Sequence, residues 1–155
     1  MTTALNLAAA NSLITAALAH ARTHSMAPLC VAVLDAGGHV MALQREDGAS
    51  ILRPQIATAK ARGSLGMGFG GRELARRAAA NPAFIGALAA LADGDMLPVP
   101  GGVLVRTADG ALIGAVGISG DLSDKDEACA IAGIVSIGLV ADVGVQELHT
   151  ELPAA

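Results

Sequence analysis

Two histidines, His20 and His24, stand four residues apart, the spacing that puts two imidazoles on one helical face, where they can meet one metal ion or one flat ligand. Zinc normally takes three or four protein ligands, and no third stands close in sequence. Haem iron needs only one histidine, which keeps His20 as a candidate axial ligand; the alternative is a solvated helix-end residue whose charge suits the helix dipole. Lys60 sits among Ala57, Ala61 and Leu65, where an ammonium needs a partner or a role. Arg45 and Arg62 are the other cations of that region. Gly101 and Gly102 follow Pro98-Val99-Pro100 and either serve a sharp turn or let backbone N–H groups approach an anion. Asp121, Asp124, Asp126 and Glu127 read as helix caps and solvated charge, with one of them able to face Lys60 and complete a polar pocket.

Standard catalytic signatures are missing: the chain has no GxxxxGK[ST], HExxH, CxxC or GxSxG. The run Gly66-Met67-Gly68-Phe69-Gly70-Gly71 has the letters of a dinucleotide loop but follows a helix rather than a strand, so it reads as a glycine-rich loop.

The elements that must position these residues follow from periodicity. Leu5, Ala9, Leu13 and Ala17 recur at helical spacing, and Pro28 ends that segment. Leu29–Leu34 is a continuous apolar strand; Asp35-Ala36-Gly37-Gly38 turns it into a second strand, His39–Arg45. A helix is expected from about Leu52 to Leu65, then Glu73–Ala80 and Pro82–Ala92, the last with Asn81 as N-cap. Val99–Thr107 and Ala111–Ser119 form a second hairpin about Asp109-Gly110. Asp124 and Glu127 resemble a capping box for a final helix running to Val143. Gly114, Gly117 and Gly120 mark close approach to the last strand, by a helix before a ligand. Two hairpins without strand–helix–strand alternation give an α+β fold, an antiparallel sheet of four to five strands flanked by helices. Residues 1–145 are expected as a single domain and 146–155 as a short C-terminal tail.

Composition sets the context. Of 155 residues, 53% are hydrophobic and 15% charged, and Phe69 and Phe84 are the only aromatics, so aliphatic and small residues must fill the core. So much apolar residue on one domain of this size implies an outward apolar face and a homo-oligomer, a dimer or larger. Net charge −4 without a basic cluster speaks against nucleic-acid binding. The longest uncharged apolar run, Ala128–Ala141, is too short to span a bilayer. No basic residue precedes the apolar start, and Cys30 and Cys129 read as small buried hydrophobes, so a cytoplasmic location is expected.

Val33-Leu34-Asp35-Ala36-Gly37-Gly38-His39, Ala42–Ala49, Lys60-Ala61, Val99-Pro100-Gly101-Gly102-Val103, Ile113–Gly120 and Asp126-Glu127 stand in the order in which the GlcG/HbpS-like family carries similar motifs. The resemblance runs from about residue 4 to residue 145. It implies a profilin-like fold, homo-oligomers and a small-ligand pocket built around Lys60, Gly101, Gly102, Ser119 and Asp126, and it makes His20 the helix-1 candidate for haem ligation. The family includes haem-binding proteins, the C-terminal domain of PduO-type corrinoid adenosyltransferases and many members encoded with small-acid metabolism. Haem or a related tetrapyrrole is thus the first expected ligand; the alternative the resemblance leaves open is an isomerase, tautomerase or lyase acting on a small carboxylate, with the Gly101 and Gly102 amides and Arg45 or Arg62 holding the anion and Lys60 or Asp126 moving the proton.

Overall fold

The computed structural model describes residues 5–153. Its elements run α1 (Leu7–Thr23), β1 (Cys30–Asp35), β2 (Val40–Arg45), α2 (Arg53–Met67), α3 (Gly71–Ala80), α4 (Pro82–Leu91), β3 (Gly102–Arg106), β4 (Leu112–Ser119), α5 (Ser123–Ser136), β5 (Val140–Asp142) and β6 (Leu148–His149). The strands form one antiparallel sheet in the order β2-β1-β4-β3-β5-β6. The expected α+β sheet is present, with six strands among the described residues rather than four or five.

Strand alternation divides the core. Val31, Val33, Val103, Val105, Val116 and Ile118 point to one face and pack with α1 and α5. Cys30, Ala32, Leu34, Leu104 and Ala115 point to the other and meet Ala57 and Ala61 of α2. This second face is built of small residues because the backbone of α2 lies directly on it. A Cβ added to Gly117 would stand 1.8 Å from the Ala57 carbonyl oxygen, and one added to Gly102 would stand 2.3 Å from that of Lys60. The near absence of aromatics follows: no room exists between α2 and the sheet for a ring. A third cluster, Phe69, Leu74, Ile85 and Met96, sits beneath α3 and α4.

Several boundaries differ from the sequence reading. The glycine run at 66–71 is not one loop: α2 continues to Met67 and ends at Gly68 in the left-handed conformation, φ 79°, with its N–H on the Ser64 carbonyl. Gly70 and Gly71 are glycines for a different reason, since the carbonyls of Val143 and Val99 occupy the space of their missing side chains. The final helix stops at Ser136, and the apolar run continues through Gly138 into the buried strand β5. Leu148 and His149, expected in the short C-terminal tail, pair with β5 as an edge strand. Asp124 does not cap α5, whose first residue is preceded by Leu122 without a side-chain cap. Asn81 does cap α4, accepting the Phe84 N–H at 3.2 Å.

The close seat of α2 is testable. Gly117→Ala drives a methyl group into helix backbone that cannot step aside, so it should lower stability by about 3 kcal/mol or more, at the upper end of overpacking costs. Urea denaturation measures this, and an unchanged midpoint would show that α2 does not rest on β4.

Candidate functional site

Because α2 lies on β4 and β3, its side chains reach the sheet end where β4 finishes and α5 begins. Lys60 runs along Gly101 and Gly102 and its Nζ donates to the Ile118 carbonyl at 2.9 Å and to Asp126 Oδ2 at 2.9 Å. Lysine and aspartate keep 3% and 1% of their surface in contact with solvent. Asp126 Oδ1 accepts the N–H of Asp121 at 3.0 Å. Burial pushes the Asp126 carboxyl above its ordinary value, while the Lys60 ammonium and the Asp121 N–H pull it back. Gly101 has φ 112°, and a Cβ there would stand 2.9 Å from Lys60 Nζ, so only glycine fits.

Ser119, fully buried, ends β4; its Oγ accepts from Arg53 Nη1 at 3.0 Å. Across the sheet Ser119 is opposite Cys30, and Cys30 is opposite Arg45, so the three share the α2 face. Burial pushes the Cys30 thiol up to about 11 against the opposing Arg45 charge. The Arg45 guanidinium, largely exposed, donates to the Ala49 carbonyl at 2.6 Å.

The structure thus brings Lys60, Asp126, Gly101, Gly102 and Ser119 together, with Arg45 at the edge of the same face. Arg62 is elsewhere: it donates to the Gly38 carbonyl at 3.1 Å and to Asp95 Oδ2 at 3.0 Å, tying α2 to the first hairpin turn and to the loop before β3. His20 also lies apart, on α1, which packs on the opposite face of the sheet. It is half-buried, and its ring stacks on His24 with centroids 4.1 Å apart. His24 Nδ1 bonds to the His20 carbonyl, whereas the His20 ring nitrogens make no hydrogen bond among the described residues. Burial, then the neighbouring His24, lowers the His20 pKa, so its imidazole is neutral at pH 7 with a free lone pair.

Sequence reasoning missed two features. Arg53 stands seven residues before Lys60, two helical turns along the same side of α2, and that spacing was the signal. Glu127, read as half of a capping box, is instead buried and receives both Nε and Nη2 of Arg72 on α3. Among the described residues no cluster of three or more His, Cys, Asp or Glu is placed to hold a metal ion. A hollow of about 440 Å³ lies between β2 and α2, lined by Leu43, Pro54, Thr58 and Arg62. A more apolar one of about 280 Å³, with Met67, Leu88, Leu91 and Met96, separates α2 from α4.

Residues 5–135 match the family model described as haem degrading protein HbpS-like. Among solved structures, a haem complex of PduOC is similar at 27% identity, with TM-score 0.79 over 88% of this chain and 96% of that one. Streptomyces reticuli HbpS, solved as a double mutant, is similar at 30% identity, TM-score 0.74, over 89% and 90% of the two chains. Klebsiella pneumoniae protein ORFY gives 25% identity and TM-score 0.77 over 88% and 92%. Among curated proteins no sequence match is found.

The buried pair makes a definite forecast. Lys60→Met leaves the Asp126 charge without its partner in a dry site and should cost about 3–5 kcal/mol, whereas Lys60→Met with Asp126→Leu should recover most of that loss. Thermal and urea unfolding of the three proteins checks it; if the single variant is as stable as the wild type, the pair is not a structural tie.

Proposed function

This chain belongs to the HbpS-like family, and from that premise we propose that it binds a small ligand, haem or a related tetrapyrrole, with His20 as the axial ligand. The observation that carries the reading is the His20 imidazole: half-buried, neutral and without a hydrogen bond on either ring nitrogen among the described residues. Bound haem supplies an iron that takes such a nitrogen. The likeness to the PduOC haem complex supports the reading at the level of the fold. The rest of the molecule supplies aliphatic rather than aromatic walls. Phe69 is buried beneath the Arg77 guanidinium, and Phe84 lies half-exposed on α4.

A homo-oligomer belongs to the same proposal. Helix α4, Pro82–Leu91, carries no charge, yet Phe84 and Leu91 remain 53% and 84% exposed. A helix that is apolar all round belongs in an interior, and a second copy can supply one. No helix among the described residues is long and apolar enough to cross a membrane. The two free thiols, buried on opposite faces of the sheet, suit a reducing cytoplasm.

A second reading, an enzyme that moves a proton on a small carboxylate, is favoured by one observation. Lys60 and Asp126 form an ammonium–carboxylate couple at 2.9 Å, in which burial pushes the carboxyl towards proton exchange. In that reading the glycines at 101 and 102 border the substrate, and Lys60 or Asp126 handles its proton.

Haem titration followed at the Soret band tests the first reading. His20→Ala should abolish the axial-histidine spectrum and weaken binding at least about tenfold; identical spectra and affinity would remove His20 from the site. The pH sign is also fixed. Ligation needs the neutral ring, and the His20 pKa lies below the ordinary 6.5, so affinity should hold from pH 7 through 6.5 and fall only in more acid solution. Light scattering at micromolar protein should give a mass that is a multiple of 15.3 kDa; a stable monomer would contradict the assembly.

A further inference from the structure

Every lysine and arginine except two lies in an ion pair with a carboxylate among the described residues; the exceptions are Arg45 and Arg53. An exposed arginine is ordinarily just solvated. These two are set apart by their place: Arg45 stands on the row Arg45–Cys30–Ser119 across β2, β1 and β4, and Arg53 comes down from the first turn of α2 onto the far end of that row, Ser119. Each guanidinium spends one N–H on the protein, Arg53 on the Ser119 hydroxyl and Arg45 on the Ala49 carbonyl, and keeps the rest of its fork. The Ser119 hydroxyl accepts from Arg53, and its own proton meets no acceptor among the described residues although the side chain is fully buried.

We propose that Arg45, Arg53 and Ser119 form a binding site for a small oxyanion, a carboxylate or a phosphate, at this end of the α2 face. A planar fork matches an oxygen pair, guanidinium is the cation best shaped for bidentate contact, and the buried Ser119 hydroxyl holds the Arg53 fork in place. Glu46 and Asp47 border Arg45 on its outer side, Glu46 already paired with Arg22, and on the α2 face the acidic groups are spent or neutral. Asp126 nearby is already neutralised by Lys60, and the Cys30 thiol, pushed up to about 11, stays uncharged at neutral pH. The first turn of α2 carries no acid to oppose the positive end of the helix dipole, although its Arg53 and Ile56 N–H groups are taken by the Ser50 and Leu52 carbonyls. The organic part of a ligand has somewhere to go: Leu43 and Pro54, neighbours of Arg45 on β2 and of Arg53 on α2, line the hollow of about 440 Å³. This site is separate from His20, which lies on the opposite face, and it replaces the pairing of Arg62 with the glycine amides.

The experiment is calorimetric titration with malonate and with inorganic phosphate, using chloride at matched ionic strength as the control. Wild-type protein should bind one of the two at millimolar concentration or tighter, and whichever binds better assigns the oxyanion. Arg45→Gln with Arg53→Gln should keep the wild-type fold by circular dichroism, melt somewhat lower because the buried Ser119 hydroxyl loses its Arg53 partner, and bind at least about tenfold more weakly. Arg53→Lys, charge without the fork, should restore only part of the loss. His20→Ala should leave malonate and phosphate affinity intact, so failure here and failure of haem ligation are told apart. Equal affinity in wild type and the double arginine variant overturns the site, as does a wild type that responds to neither probe beyond chloride.

Discussion

The ammonium–carboxylate bond between Lys60 and Asp126 is the constraint around which the rest is arranged. Withdrawing either ion from water costs several kcal/mol even after relaxation, so the pair persists only where its geometry is close and its remaining valences are met. The Ile118 carbonyl and the Asp121 N–H meet them. Lys60 comes from α2 on one face of the sheet and Asp126 from α5 on the other, so the bond wraps round the end of β4 and clamps both layers to it. A lysine stem can make that crossing only if the chain beside it has no side chains. Hence Gly101, at φ 112°, and Gly102 are glycines for the sake of the lysine, and their role as anion-facing amides loses its main argument.

The same demand for closeness explains the composition. Once α2 must lie near enough for its lysine to reach round the sheet, the strand positions directly under its backbone must be small, as Gly102, Gly117, Ala32, Ala115 and Cys30 are, with Leu34 and Leu104 completing the same cluster. A layer that thin holds few bulky groups, and apolar residue is displaced to helices such as α4 that no layer of the same chain covers. Small residues inside and apolar residues outside are two consequences of one packing choice.

Periodicity made the order of helices and hairpins legible, because each is long enough to show its repeat. The end of α5 was not. Val140–Asp142 is a three-residue buried strand, and a run that short has no period of its own, so Ala128–Ala141 reads as a single helix until Gly138 is seen in the left-handed conformation. At the site, the need of Lys60 for a partner could be read from its alanine neighbours, and the acids before α5 were the right place to look. Which acid it would be could not be read. Asp126 and Glu127 are adjacent, both buried, and turn to different cations, Lys60 and Arg72, according to a helix rotation that the local sequence does not encode. Arg62 reads in the sequence as a cation of the first hairpin and its following helix, but it stands two positions after Lys60, about 200° round α2, which sends it to Gly38 and Asp95.

That rotation also decides which cation is left to meet an anion. Lys60 is a point charge whose field is cancelled at 2.9 Å by Asp126 and whose surface is sealed. Arg62 is cancelled by Asp95. Arg53, two turns before Lys60 on the same side of α2, reaches the sheet at the last residue of β4, where the carboxylates have already been taken up. Its charge is felt by Asp126 but forms no ion pair of its own. In a protein with more acids than bases, an arginine that finds no carboxylate while its helix neighbours each find one owes that to position rather than to shortage. The clamp that consumes Asp126 is what leaves Arg53, and Arg45 across the strand from Cys30, as the open positive charge of the α2 face.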